Sequence, residues 1–387
     1  MYNFSEDQIA VRKMVKEFAE KYVRPQVKIR DKQAQYPGEI TGILAEHGYK
    51  GANIPEQYGG AGLDPVSSVL LVNGISRVDS SLGHILEVNN YGFCEPILTF
   101  GTEEQKEKYL PEFTTGKSVG GFAYTEAGGS DPSNVNLTAR EKDGGYVLNG
   151  SKIMVTNARY SDSMLVVGRT AKTENLFYGL TFFIVDMDKA GITVGKTEDT
   201  MGQRSIEMCE VSFENCIVEK DRVLGNVNEG FKVLMTLMNK MRISVSAMAL
   251  GIAEAALEEA MKFANVPYRD GKPLYEIPSV KNYISEMVSH INIMKLLVYS
   301  AAESIKEDNP ETRMKSLNTK LTVCEYAKDI CDKALQIHGG CGFISDYDIE
   351  RLYRDVRATT IFGLTSERAK SSIADMFIKR YLENGDI

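Results

Sequence analysis

The residues that most often carry chemistry are sparse and scattered in this sequence. Four histidines, His47, His84, His290 and His338, lack the short spacings that hold a metal. Six cysteines include no CxxC pair, so neither a zinc site nor a disulfide framework is expected. Cys324 and Cys331, seven apart on a predicted helix, read as small buried hydrophobes. No GxSxG elbow, GxxxxGK(S/T) loop or strand-following GxGxxG occurs, which removes the sequence support for the commonest hydrolase, NTPase and NAD chemistries. What remains is two glycine-rich turns. At Gly128-Gly129-Ser130 backbone N–H groups can approach a ligand with no Cβ in the way. Gly339-Gly340-Cys341-Gly342 follows a helical pattern and reads first as a C-cap.

Several elements must position those turns. A chain of 387 residues exceeds one usual core, so two or three domains are expected. Hydrophobic residues at 43% and charged residues at 25% are ordinary for a globular enzyme and exclude a disordered or fibrous chain. Fifty-three acidic against forty-five basic side chains leave a formal charge of −8, which argues against nucleic acid or an anionic membrane as partner. No apolar run approaches the ~20 residues that span a bilayer. The first thirty residues mix both charge signs and lack an apolar signal core, so a cytoplasmic protein is expected.

The texture changes twice along the chain. Residues 1–115 read as an all-α N-terminal domain, opened by a capping box at Ser5-Glu6-Asp7-Gln8 ahead of Ile9, Val11, Met14, Val15 and Phe18 at helical spacing. Residues 116–225 turn to short β runs: Gly145–Leu148 meeting an Asn149-Gly150 hairpin signal, then Lys152–Thr156, Ser163–Val167, Leu180–Val185 and Glu210–Phe213. With no long helices between them these predict a central β-barrel or sandwich rather than a βαβ domain. Residues 226–387 are helical again, with a pattern apolar nearly all round from Gly230 to Phe263, a break from Pro267 to Pro278, and further helices near 279–305, 310–337, 345–357 and from 365. The fold expected is therefore α+β multidomain: helices, a β-barrel, then a C-terminal four-helix bundle.

That order resembles the acyl-CoA dehydrogenase family along essentially the whole chain. The matching motifs are Tyr58-Gly59-Gly60-Ala61-Gly62, Gly101-Thr102-Glu103-Glu104-Gln105-Lys106, Tyr124-Thr125-Glu126 through Gly129-Ser130-Asp131, Asn149-Gly150-Ser151-Lys152, Met201-Gly202-Gln203-Arg204, Gln336-Ile337-His338-Gly339-Gly340-Cys341-Gly342 and Tyr353-Arg354-Asp355. The resemblance implies FAD, bound noncovalently where barrel and bundle meet, with Phe122, Tyr124, Thr125, Gly129 and Ser130 beside it. It implies that Met154 takes the place of an aromatic stacked on the flavin, a softer group that still packs on a π-face, with Thr156 near N5; read alone, Thr156 is a half-buried strand residue. Gln336, Gly339 and Gly340 match residues reaching the FAD of a neighbouring subunit, and Thr365 and Glu367 match residues near the adenine. A family arginine for that neighbouring FAD falls at Pro267, leaving Arg269 as the nearest substitute. The same resemblance implies a homotetramer, an acyl-CoA substrate and an electron-transfer flavoprotein as partner.

One departure stands out. In the family a glutamate removes the proton α to the thioester, and it sits at one of two places. Here those positions are Gly363, in Ile361-Phe362-Gly363-Leu364-Thr365, and Met241, directly before Arg242. Neither carries an acid, and Thr365-Ser366 anchors the register against bringing in Glu367 or Glu350. Three readings follow. The base has moved to His84 or Glu87 on the pocket helix, where burial would raise a glutamate toward neutrality as a base needs; the reaction is then α,β-dehydrogenation or its reverse on an unusual alicyclic, branched or substituted acyl group. Alternatively the protein performs a non-oxidative elimination or desulfination, a branch that places an arginine where this chain has His84. Or it is a non-catalytic subunit paired with an active paralogue. Taken singly, Glu87 reads as a solvent-facing helix residue, His84 as a satisfied, partly buried histidine, and Arg242 as half of a bundle salt bridge unless it faces the thioester.

Overall fold

In the computed structural model, which describes residues 2–268, 270–305 and 309–385, three groups of elements follow one another. The helical start is set by its caps. Ser5 and Gln8 exchange the two hydrogen bonds of a capping box at the head of α1 (Glu6–Phe18). There follow α2 (Val27–Gln33), α3 (Gly38–Glu46), α4 (Pro65–Ser76), α5 (Ser80–Glu87), α6 (Glu95–Phe100) and α7 (Glu103–Thr114). Asp79 starts α5 by accepting from the N–H groups of Ser81 and Leu82, and a buried Arg30 pairs with its other oxygen at 3.0 Å. Past Glu87 the helix widens into a π-helical stretch, Val88–Cys94, before α6.

The central strands are β1 (Gly120–Ala123), β2 (Thr138–Lys142), β3 (Gly145–Thr156), β4 (Ser163–Arg169), β5 (Leu180–Asp186), β6 (Ile192–Thr197), β7 (Met208–Glu219) and β8 (Val223–Leu224). They form one mixed sheet in the order β6-β7-β3-β2-β4-β5-β8, with β1 beside β4. The expected closed barrel is not what forms. Closure needs hydrogen bonds all the way round, and among the described residues the end strands β6 and β8 do not pair. Instead the sheet folds where β2 and β4 meet at the single pair Thr138–Arg169. One half lays Ala139, Tyr146, Leu148, Val211 and Phe213 against Met164, Val166, Phe183 and Val185 of the other. The opposite face of β4 and β5, with Leu165, Val167, Phe182 and Ile184, joins the helical core. Buried on both faces, these two strands read as unbroken apolar runs rather than alternating ones.

The expected hairpin at Asn149-Gly150 is also corrected. β3 runs straight through it and stays paired with β7, taking up the glycine as a register shift between Leu148 and Gly150. The tight turn lies earlier, at Asp143-Gly144, both at positive φ, between β2 and β3.

The last part holds α8 (Gly230–Ala264), α9 (Pro278–Ser304), α10 (Pro310–His338), α11 (Asp348–Thr359) and α12 (Ser366–Asn384). α8 is packed by α9, α10 and α11 and also by α4 and α5 from the first part. That explains an apolar pattern on all its faces. One core therefore runs from α4 through α8 to β5.

The seam between β1 and β3 is held by charge. Lys152, with no exposed surface, reaches Glu126 at 2.7 Å and the Tyr124 carbonyl at 3.1 Å, while Glu126 accepts from the N–H groups of Asn136 and Leu137 at 2.7 and 3.0 Å. Burial pushes the lysine down to about 8 against the pull of Glu126. Removing only the cation strands a buried carboxylate. Lys152→Met is expected to destabilise the protein by ~3–5 kcal/mol, seen as a lower thermal midpoint, with Lys152→Met/Glu126→Gln recovering part of the loss.

Candidate active site

Two of the sequence motifs meet at one buried carboxylate. Asp355 accepts from the Gln203 N–H at 2.6 Å and the Ser80 hydroxyl at 2.9 Å, and pairs with Arg351 at 3.2 Å. Burial raises its carboxyl, and the Arg351 charge opposes that. The Met201–Arg204 loop can lie this close to α11 because residue 202 is glycine: a Cβ there would come within 2.4 Å of the Arg354 backbone. Gln203 then turns its side chain to His84, with Oε1 at 2.9 Å from Nδ1, and its Nε2 toward Met248 Sδ at 3.3 Å.

His84 is accordingly buried and satisfied on one side. Burial lowers its pKa, and the Gln203 contact opposes this more weakly. With a carbonyl oxygen facing Nδ1, that nitrogen carries the proton and Nε2 keeps its lone pair. The ring stacks on Phe362 at 4.6 Å and 7°, directly before Gly363. The sequence expectation of a satisfied histidine holds, with a partner the sequence did not name.

Glu87 follows one turn later on the same helix face. It is wholly buried, neither carboxylate oxygen has a hydrogen-bond partner among the described residues, and burial alone pushes it up to about 8. The solvent-facing expectation for this residue is overturned. α5 is covered by α4 and α8, so no face of it reaches water. The π-helical stretch beyond it brings Gly92 against Phe122 of β1.

The salt-bridge expectation for Arg242 is also overturned: among the described residues it forms none. Its Nη1 donates to Asn239 Oδ1 at 3.1 Å within α8, its Nε has no acceptor, and burial lowers it to about 10. Met241 beside it is buried. Gly363 has φ 71°, and a Cβ there would touch only Val245, at 3.5 Å. Lys320, buried on α10, donates to the carbonyl of Leu364.

The residues implicated with the cofactor fall into two groups. Phe122, Tyr124 and Thr125 lie on and after β1, and the Tyr124 hydroxyl donates to the Ser130 carbonyl at 2.7 Å. Thr125 accepts from Ile153 of β3 at 2.8 Å, which sets Met154 and Thr156 beside them. Met154, at positive φ in a β3–β7 irregularity, is 55% exposed, whereas Thr156 is buried rather than half-buried. Gly129 has φ 96° with open space where a Cβ would stand. The second group lies on the C-terminal helices. Gln336, Gly339 and Gly340 sit exposed at the end of α10, Thr365 caps α12 by accepting from Arg368, and Glu367 is exposed. A bond from Arg368 to Asp131, 3.1 Å, links the α12 start to the β1 loop. Arg269 lies outside the described residues.

Sequence reasoning flagged the Met201–Arg204 motif without the part Gln203 plays, and missed Asn239, Arg313 and Lys320. A signal existed for two of these. Arg313 and Lys320 share the α10 stripe of Leu317 and Cys324, charges at core spacing.

Comparison with known proteins matches three family models in order: the acyl-CoA dehydrogenase N-terminal domain at residues 5–117, the middle domain at 121–216 and the C-terminal domain at 228–377. The chain belongs to the acyl-CoA dehydrogenase family. It is 39% identical to a 3-(aryl)acrylate reductase of Clostridium sporogenes over 97% of this chain and 100% of that one. It is 35% identical to the caffeyl-CoA reductase-Etf complex subunit CarC of Acetobacterium woodii, over 97% and 100%. Among solved structures, butyryl-CoA dehydrogenase from Megasphaera elsdenii superposes with a TM-score of 0.94 at 33% identity, covering 98% of this chain and 100% of that one.

Members of the acyl-CoA dehydrogenase family are FAD-dependent oxidoreductases, and this chain fits the cofactor. The open space at Gly129, the exposed Met154 and the half-buried Phe122 are surfaces on which a flat group can lie.

The buried acid also has a consequence for stability. Between its ordinary value of 4.5 and about 8, Glu87 keeps its proton in the folded chain and loses it in the unfolded one. Its contribution is therefore intact at low pH and is lost as pH rises toward 8, with a slope of up to ~1.4 kcal/mol per pH unit. Thermal midpoints of the native protein should fall relative to Glu87→Gln between pH 5 and 8.5; parallel curves for the two would show that Glu87 ionises freely.

Proposed function

We propose that this protein is a FAD-dependent acyl-CoA oxidoreductase in which Glu87 has taken over proton transfer at the α-carbon of the thioester, working mainly as a reductase of α,β-unsaturated acyl-CoA. The carrying observation is a fully buried carboxyl with no partner, one turn from a histidine that stacks beside the vacant base position. Structural carboxylates are normally paired; an unpaired one kept in a low-dielectric site is the arrangement used for general acid–base work.

The protonation state favours the reductive direction. With a pKa of about 8, Glu87 is protonated roughly ten to one at pH 7, ready to deliver a proton to the α-carbon. The names of two relatives, an arylacrylate reductase and a caffeyl-CoA reductase subunit, point the same way. Phe122, Tyr124, Thr125, Gly129, Ser130, Met154 and Thr156 would hold the flavin. The bound cofactor supplies hydride exchange at the β-carbon. His84, held neutral by burial and oriented by Gln203, positions the Phe362–Gly363 loop and offers Nε2 as an acceptor. A neutral imidazole gives a departing sulfinate no positive charge, which weighs against the elimination reading. The Etf-complex relative supports an electron-transfer flavoprotein as electron partner. Exposure of Gln336, Gly339 and Gly340 at the end of α10 supports a homotetramer in which they serve a neighbouring copy's FAD.

The test is anaerobic reduction of a panel of enoyl- and arylacrylyl-CoA thioesters by the reduced holoprotein. Glu87→Gln should lower kcat by 10²–10⁴-fold with flavin content and thioester binding retained, and the native rate should decline as pH rises through about 8. Full activity in Glu87→Gln would remove this residue from the chemistry.

A further inference from the structure

Arg242 is a buried cation without a counter-ion. It is 5% exposed, and among the described residues its side chain bonds to Asn239 Oδ1. That oxygen also accepts from Ser316 at 3.1 Å, which ties α8 to α10 at this level. One turn back along α10 stands Arg313, whose Nε is likewise buried without an acceptor. One turn forward stands Lys320, with no exposed surface, on the Leu364 carbonyl. The like charge of Arg313 acts on Arg242, and among the described residues no carboxylate offsets it. Lys320 does feel Glu325 and Glu367, whereas Arg242 faces no acid; Arg313 beside it is half-buried, with its Nε shut from water and without an acceptor. Among the described residues neither forms an ion pair with an acid of this chain.

Burying charge in this way is sustained when a ligand brings the opposite sign. The cluster adjoins space where such a ligand would lie. Met241 is the neighbour of Arg242, Leu364 is the neighbour of Gly363, and beyond Val245 nothing stands within 4 Å of a Cβ built on Gly363. These are the two places without the family's acid. A guanidinium fork matches a carboxylate in shape as well as charge.

We propose that Arg242 and Arg313, with Lys320 behind them, bind a carboxylate carried by the acyl group, so that the substrate class is a short dicarboxylic acyl-CoA. The inference rests on the acyl-CoA reading above and narrows it. A phosphate of the dinucleotide is the competing source of negative charge, because Tyr124 lies near Arg242 and also reaches the Ser130 carbonyl.

The experiment is calorimetric binding to the FAD-loaded holoprotein of glutaryl-CoA against valeryl-CoA and succinyl-CoA against butyryl-CoA, in the native protein and in Arg313→Met and Arg313→Lys. The carboxylated thioesters should bind at least tenfold more tightly than their neutral counterparts. Arg313→Met should cut that advantage below threefold with FAD content unchanged, and Arg313→Lys should keep much of it. Equal affinity of the native protein for each pair would overturn the proposal while leaving the acyl-CoA reading in place. Loss of FAD from Arg313→Met with the tenfold preference intact would assign the arginines to the dinucleotide phosphate and overturn it too. Failure of all four thioesters to bind would remove both readings. The comparison in the native protein decides the matter even if the variants do not fold.

Discussion

A buried carboxylate must find donors, and Asp355 finds them on three different parts of the chain. Ser80 comes from the start of α5, Gln203 from the loop between β6 and β7, and Arg351 from α11 itself. Each donor sits on an element that has no covalent reason to be near the others. Satisfying one charge in a low-dielectric interior therefore fixes their relative positions. Everything nearest the proposed chemistry hangs on that fixed point. Gln203 holds His84, His84 stacks on Phe362, and Phe362 sets the position of Gly363.

The charges in the site are unusual in a consistent direction. The acid that is present is buried enough to keep its proton, the histidine is buried enough to lose its own, and two arginines remain uncompensated. Among the described residues this leaves no ionised carboxylate paired with those arginines. A site with this sign attracts an anion and stabilises negative charge that develops during reaction. Under the proposed function, the proton comes from Glu87 on α5, the buried acid that this charge balance leaves protonated.

Much of this fold was legible in the residues. The Ser5–Gln8 capping box, the apolar runs of β4 and β5, the helix break after α8 and the glycine C-cap of α10 all formed where local chemistry placed them. Errors came where tertiary pairing overrode a local signal. Asn149-Gly150 carries a hairpin preference, but β7 continues along both sides of it and keeps β3 straight. The run of short strands looked like a barrel, but two-residue β8 leaves an edge that β6 does not meet. Glu87 looked exposed because a charged residue in a short helix usually is; only the arrival of α4 and α8 on both sides buries it.

The sequence by itself determined the class of the protein. Helix, strand and cap signals are local, and the ordered motifs can be read one residue at a time. Tertiary structure alone decided the chemistry left to the site. Whether Glu87 is an acid or a carboxylate, whether His84 is charged, and whether Arg242 has a counter-ion depend on desolvation and on neighbours dozens or hundreds of residues away. Ionisation follows the surrounding dielectric and the nearest charges, and neither is written in the order of the chain.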